Sequence, residues 1–495
     1  MSRYIALIIL CMPVFTDAAD GPVFTVSKET TFVTKPINEE GFVDFTTAVN
    51  MKLSKGITSK NNAASVIFPA FGPAPGGIPF SQRFFEELGV SIPPEKGDYY
   101  KTLEEFLLSQ GVKKNSLEMQ RIVENRNIAM SRPWKREEFP KIAGWLVSNA
   151  KPLVSITKGT QQESYYNPIN SPALEGAIKH ELMTTSLQHL QVSRSVARSL
   201  VSRAMQHIAE NRTKSAWGDL LAAYRLGLHL GNGSSLIEAL VGVSIEAYTN
   251  EAVIKFIEET QPNRELAFQY LNNIEMLPKR ALVVAQVDFG ARLIVIDMIF
   301  QTMLETYEES PKLKVDWDQV LRESNQWFDR IVVGLKQESF SAREKAWEQI
   351  RSDLLRVSKE RTKSTGFSKK LLFLSNDIKR TTEYFSDLII SSFIPDARRA
   401  SVSVNRSEQR FDNLRVALSL SAYHSTHKTY PDQLKELVPR YLPSLPQDLF
   451  GEKPLTYMKT IDGYLLYSVG QNQTDDGGDS FDVGKDDLTV RISSH

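Results

Sequence analysis

One cysteine, Cys11, is all that 495 residues contain. A single thiol can form no internal disulfide and no zinc-thiolate cluster, so neither device holds this chain together. Neither sign of charge is in excess, since Lys plus Arg and Asp plus Glu each number 59. Nucleic acids and anionic membranes select for a surplus of positive charge, so neither is an expected partner. No segment beyond the amino terminus is apolar over the roughly 20 residues that cross a bilayer. The nearest approach, Ala281 to Met303, is broken by Asp288, Arg292 and Asp297 and reads as a buried helix. Catalytic signatures are missing as well. There is no Gly-Lys-Ser/Thr after a glycine run and no G-x-S-x-G elbow, and His180-Glu181 has no second histidine four positions on.

The amino terminus has the order of a secretory signal. Arg3 supplies the positive charge, Tyr4 to Phe15 a short apolar run interrupted by Pro13, and Thr16-Asp17-Ala18 the small residues of a cleavage site. Leu10 before Cys11 is not the small residue that a lipoprotein signal places there. Residues 1–18 are therefore expected to be removed after Ala18. The mature chain is expected in the periplasm or otherwise outside the cytoplasm, with no thiol and no integral membrane span. With 41% hydrophobic residues, its stability must come from burial.

The fold class expected is mainly α, an antiparallel helical array or bundle, with a small α+β carboxy-terminal module. Residues 19–171 read as a mixed region. It includes a loop punctuated by Pro69, Gly72, Pro73, Pro75, Gly76, Gly77 and Pro79, and a second irregular stretch from about Ala150 to Pro172 that contains Tyr165, Tyr166 and Asn167. Tyrosines in a loop either line a binding surface or pack on a domain edge, and packing is the expectation.

Residues 172–406 read as a helical domain. Trp217, Leu220, Leu221, Tyr224 and Leu228 fall on one face of a helix over Thr213 to Leu230, which Gly231-Asn232-Gly233 stops. Ser235 and Glu238 form a capping box for the next helix, and Asp316 with Gln319 repeats the start signal. His180, His189 and His207 share one predicted helix. Nine residues put the first two on opposite faces, and eighteen put His207 about 27 Å beyond His189, so no metal is shared. His424 and His427 lie three apart at a helix end, where the dipole alone accounts for them.

Residues 407–495 change character. A helix from Ser407 to His427 leads into a proline-rich turn, and strands are expected at Leu455 to Met458, at Tyr464 to Val469, and at Leu488, Val490 and Ile492. Asp462-Gly463 marks a hairpin, with Tyr457 and Tyr467 on or near the packed face. Between the last two strands Asn472, Asp475, Asp476, Asp479, Asp482, Asp486 and Asp487 crowd around Gly477-Gly478, with Lys485 the one nearby cation. Such a loop either collects the roughly six to eight oxygens that calcium prefers or remains a solvated turn.

The segments Tyr430-Pro431-Asp432-Gln433-Leu434, Leu445-Pro446-Gln447-Asp448-Leu449-Phe450-Gly451 and Tyr464 to Gly470 followed by Asp-Asp-Gly-Gly resemble the carboxy-terminal domain of type II secretion major pseudopilins. The resemblance implies a calcium-binding loop with Ser468, Asn472, Asp475, Asp479 and Asp482 as ligands. Leu449 replaces the usual proline and Asn472 a common aspartate. The pseudopilin amino-terminal helix and peptidase motif are absent, so pilus assembly is not implied. The whole chain resembles uncharacterised exported proteins of planctomycete type, through Asn61-Asn62-Ala63-Ala64, Phe71-Gly72-Pro73, Pro133-Trp134, Glu138-Phe139-Pro140 and Asp219 to Arg225.

Gly478-Asp479-Ser480-Phe481 has the letters of a GDSL nucleophile but lacks the downstream Asp-x-x-His. The expectation is a non-catalytic interaction or structural protein of the cell envelope that meets a protein partner. The alternative is an extracytoplasmic hydrolase, marked by a cleft holding a carboxylate of raised pKa beside a second carboxylate or a histidine.

Overall fold

The computed structural model describes residues 24–39, 41–169, 182, 188–280, 282–310, 313–365, 377–393, 397–480 and 482–493. The predicted signal segment and His180-Glu181 lie outside them. The amino-terminal half begins with seven short helices: α1 (Phe45–Leu53), α2 (Ala64–Phe71), α3 (Gln82–Glu87), α4 (Leu103–Ser109), α5 (Leu117–Ser131), α6 (Pro140–Ser148) and α7 (Ala150–Gly159). Longer ones follow: α8 (Gln188–Ala209), α9 (Thr213–Gly231), α10 (Leu236–Thr260) and α11 (Arg264–Glu275). A π-helical turn, Gln286–Ala291, leads into α12 (Arg292–Glu309), and α13 (Trp317–Leu335), α14 (Phe340–Thr365), α15 (Ile378–Phe393) and α16 (Ala397–His427) follow. Three strands, β1 (Thr456–Lys459), β2 (Gly463–Ser468) and β3 (Leu488–Ser493), form an antiparallel sheet in the order β1-β2-β3. The mainly α architecture with a small carboxy-terminal sheet is thus as expected. Among the described residues no helix is long and apolar enough to cross a membrane.

The caps act where the sequence places them. Ser235 Oγ accepts the Glu238 N–H at 3.2 Å and Glu238 Oε2 accepts the Ser235 N–H at 3.0 Å, so α10 starts with two of its orphan donors satisfied. Asp316 Oδ1 accepts the Gln319 N–H at 2.9 Å and starts α13. α9 and α10 pack through paired glycines. A Cβ on Gly242 would stand 2.4 Å from the Gly227 carbonyl oxygen and 2.7 Å from the Gly231 nitrogen, so only hydrogen fits at that crossing.

Two expectations are corrected. Ala150–Gly159 is a helix, not an irregular stretch: Pro152, Leu153, Ile156 and Gly159 make its buried stripe, and Gly159 lies against Ile67 of α2. Pro152 sits in its first turn, where a missing N–H breaks no helical bond. Pro69 lies inside α2, close enough to its end that a single backbone bond is forfeited.

Burial divides between two main cores that do not follow chain order. The first joins α2 to α11, the second half of α16 and the sheet, from Ala63 to Ile492. The second gathers Phe24, Val43, Phe45 and Val49 with the π turn, α12, α13 and α15, and with Ala397, Ala400 and Val404 of α16. α16 belongs to both, and starts ten residues before the expected Ser407.

Within the sheet, Tyr464 pairs with Ile492, Leu466 with Val490 and Ser468 with Leu488. Tyr464, Leu466, Val490 and Ile492 face the helices. β2 is nonetheless buried at all six positions, because the loop between β2 and β3 folds across its other side. Gly478, at φ +78°, rests on that side: a Cβ there would come 3.0 Å from Leu465 and 3.2 Å from Tyr467. Tyr467 is therefore buried beneath the acidic loop, while Tyr457 packs against the helical core and donates its hydroxyl to the Pro431 carbonyl at 2.7 Å.

Candidate functional site

The loop from Gly470 to Asp487 satisfies most of its carboxylates internally. Asp486 Oδ2 accepts from the Gln471 N–H and from Arg406 Nη1, both at 2.9 Å. Asp476 Oδ2 accepts the Asp486 N–H at 3.1 Å. Asp487 Oδ2 accepts the Gly478 N–H at 2.7 Å and the Asp476 N–H at 3.2 Å. Thr489 Oγ1 donates to the Gly478 carbonyl at 2.9 Å and ties the loop to β3.

The five residues predicted as calcium ligands do not converge. Ser468 is fully buried and donates its hydroxyl to Asp448 Oδ1 at 2.7 Å. That carboxylate also accepts the N–H groups of Phe450, Gly451 and Val469, at 2.9, 3.1 and 2.8 Å, and so serves as the hub of the preceding turn. Asn472 bonds to Asp476 and to the Gly484 carbonyl. Asp475 accepts the Tyr467 hydroxyl at 2.8 Å. Only Asp479 and Asp482 stand together, and Lys485 Nζ lies between them at 2.8 and 3.0 Å. An ammonium holds the place where a divalent cation would neutralise them. Among the described residues no three His, Cys, Asp or Glu are grouped to hold a metal ion. As arranged, these side chains do not fit calcium.

Beside the loop, a cleft of about 710 Å³ runs along β3 from Asp487 to Arg491. Its other wall is α10, through Asn250, Glu251 and Ile254, and its floor is α16, through Arg410 and Asn413. Asn413 is buried and donates to the Leu488 carbonyl at 2.7 Å, which fixes β3 against α16. The Asn250 side chain donates to the Arg410 carbonyl at 3.2 Å, leaving its own oxygen buried without a partner. The Arg410 guanidinium makes no hydrogen bond or ion pair with any described residue. Burial pulls its pKa down and the nearby Arg406 adds to that, while Glu251 and Tyr224 oppose it. The guanidinium, with five donors and no acceptor, lines an open cleft that Glu251, Asp479 and Asp487 also line.

Asp487 lies at the edge of the same cleft. Burial pushes its pKa up, the Gly478 N–H pulls it down, and the Asp476 and Asp475 charges push it up further. Its Oδ1 is buried without a partner and its Oδ2 is held by two backbone N–H groups, so neither oxygen is placed to exchange a proton with a substrate.

Each described histidine has a protein neighbour. His424 stacks on Tyr430 at 4.4 Å and His427 on Tyr423 at 4.2 Å, so the two rings go to different neighbours. His207 faces Asp219, its Nε2 3.6 Å from the carboxylate, and His189 faces Glu238 at 3.8 Å. Tyr165 stacks on His229 and Tyr166 reaches Glu87, in keeping with the packing expectation. Arg410 and Asn250 were missed in the sequence: each is a polar residue on a long helix, and only the approach of β3 gives it a role. No protein-family model matches the chain, and neither a curated protein nor a solved structure does.

Proposed function

We propose that this is an exported, non-catalytic interaction protein of the cell envelope, and that the cleft between α10 and β3 receives an extended, carboxylate-bearing segment of a partner protein. One observation carries the reading: the Arg410 guanidinium, which has no hydrogen bond or ion pair among the described residues, in a cleft of about 710 Å³. The strand order supports it, since β3 is the last strand of the sheet and strand addition along such an edge is a common mode of peptide capture. The hydrolase alternative needs a reachable acid or base, and the raised carboxylate at this cleft, Asp487, is committed to the loop backbone.

The test is fluorescence polarisation of two labelled hexapeptides of valine and threonine, one with a central glutamate and one with a central lysine. The glutamate peptide is expected to bind and the lysine peptide not. Arg410→Gln should weaken the glutamate peptide about tenfold, the gap between a charge-assisted and a neutral hydrogen bond. Equal binding of both peptides, or no effect of Arg410→Gln, overturns the reading. Export is tested separately, by mass spectrometry of the envelope-fraction protein for Ala19 at its amino terminus.

We also propose, on the pseudopilin resemblance alone, that calcium binds the acidic loop after Lys485 releases Asp479 and Asp482, in an arrangement different from the one described above. Melting curves of the full chain should then shift upward with calcium, and more in Lys485→Met, where the two carboxylates are left opposed. Binding to the folded form alone stabilises by about 2.7 kcal/mol at a hundredfold excess over the dissociation constant. Unchanged curves in both proteins well above roughly millimolar calcium remove the ion from the proposal.

A further inference from the structure

Along α5, Met119, Ile122 and Ala129 are buried in the first core, and Arg126 falls in the same stripe, one turn from Ile122 and one from Ala129. A guanidinium taken out of water costs stability unless acceptors and an opposite charge meet it. Arg126 has little of either. Its Nη2 donates to the Asn127 side-chain oxygen at 2.8 Å, and its Nε is buried without a partner. The groups that act on it electrostatically are Arg198, Tyr248 and Tyr100, with no carboxylate among them. Burial pulls its pKa down to about 10, and the Arg198 charge adds to that, so it is still a cation at neutral pH.

Arg198 stands on α8 one turn beyond Arg194, so the two share a face of that helix, and like Arg126 both are half-buried. Tyr248 of α10 marks where this face meets the other two helices. Its hydroxyl donates to the Arg194 carbonyl at 3.4 Å, and Arg198, Arg194 and Arg126 all act on it electrostatically. Arg198 makes no hydrogen bond or ion pair with any described residue, and Arg194 reaches only Gln191, at 3.5 Å. The carboxylate that acts on Tyr100, Glu105, is already held by the Thr102 N–H and hydroxyl at 2.7 and 2.9 Å. Three cations therefore repel one another on two packed helices, with most of their donors unused.

The cluster opens on a groove of about 360 Å³ between α5 and α10, lined by Asn127, Met130 and Ser131 on one side and by Tyr248, Ala252 and Lys255 on the other. Tyr248 and Asn127 belong to the groove and to the cluster alike, so one end of the groove is at the arginines. Towards the other end Lys255 is neutralised by Glu258 and Glu259, at 2.8 and 2.9 Å.

We propose that this groove binds a soluble phosphate monoester with a small apolar body, its phosphate among Arg126, Arg194 and Arg198 and its body between Met130 and Ala252. Three guanidiniums suit more than one negative charge. A carboxylate carries one and takes one fork, whereas a phosphate monoester carries nearly two and offers three terminal oxygens. The Tyr248 hydroxyl, on a long bond to a carbonyl, can turn to one of these. At roughly 30 Å³ per water-sized group the groove holds about twelve non-hydrogen atoms, the size of phenyl phosphate and too little for a lipid tail.

The test titrates phenyl phosphate, inorganic phosphate and benzoate into the full chain by calorimetry, at pH 8 and equal ionic strength. Phenyl phosphate should bind one to one, inorganic phosphate about tenfold more weakly for want of the body, and benzoate about tenfold more weakly for want of the second charge. Arg198→Gln should weaken phenyl phosphate about tenfold. Arg126→Met keeps the stripe of α5 filled and removes the buried charge: without ligand it should melt no lower than wild type, and it should lose the upward shift that phenyl phosphate gives wild type. Arg410→Gln should bind phenyl phosphate as wild type does, which separates this groove from the cleft beside β3 that shares Glu251 and Ile254 with it. No binding of phenyl phosphate to wild type overturns the proposal, and so does inorganic phosphate or benzoate binding as tightly. Unchanged affinity in Arg198→Gln, a lower melting temperature of ligand-free Arg126→Met, or loss of binding in Arg410→Gln overturns it equally.

Discussion

At Asp487, burial and the neighbouring Asp476 and Asp475 carboxylates outweigh the Gly478 N–H, so its pKa in the folded chain lies above the ordinary aspartate value of about 3.9. The folded state then holds a proton that the unfolded chain has released, and stability is lost as pH rises from about 4 through the folded-state value. Asp487→Asn is neutral throughout and escapes that loss. Urea denaturation of both proteins at pH 4, 5, 6 and 7 should show the variant gaining on wild type as the pH rises above about 4, with the gain levelling off once the folded-state value is passed. Parallel curves would sink the assignment. Asp448 is a buried carboxylate with four hydrogen-bond donors around it, and its role is to hold the turn before β1. Asp448→Ala would strand the Ser468 hydroxyl and three backbone N–H groups, so a loss of roughly 2–4 kcal/mol is expected from chemical denaturation.

Among the elements, the α9–α10 crossing depends on the absence of side chains at Gly227 and Gly242. Gly242→Val would drive its Cβ into the Gly227 carbonyl and the Gly231 backbone, and about 3 kcal/mol or more of destabilisation should follow, read as a lowered urea midpoint at unchanged slope. Helices of this kind were legible beforehand because their signals are local. The stripe from Trp217 to Leu228 and the caps at Ser235 and Asp316 lie within a few residues of the boundaries they set, and the alternation in β3 marks its buried face directly. What escaped depends on distant partners. α7 is helical because Leu153 and Ile156 have a core to enter. The π turn at Gln286–Ala291 is held by carbonyls more than fifty residues away. The acidic loop showed its carboxylates but not their partners, because spacing does not tell which oxygen will be taken by a backbone N–H and which by Lys485. The arginine cluster beside Tyr248 could not be seen at all, since Arg126 and Arg198 meet only where α5 packs on α8.

For the whole molecule, the decisive junction is the ion pair between Glu246 of α10 and Arg280, with Ser407 of α16 donating to the same carboxylate oxygen at 2.7 Å. Arg280 also donates to the Val404 carbonyl at 3.1 Å, so the cluster fastens α16 at the point where it passes from one core to the other. Removing one partner leaves the other charge buried: Glu246→Ala is expected to cost roughly 3–5 kcal/mol, and the Glu246→Ala, Arg280→Met double variant distinctly less than the two single changes together. A double-mutant cycle from denaturation curves checks this, and strict additivity would contradict it. α16 also has a mechanical meaning. Its 31 residues make a rod of about 46 Å with one end seated in each core and no hinge between them. A force applied at β3 would therefore pass through the Asn413 contact into that rod and on to the other core, rather than stop at the carboxy-terminal sheet.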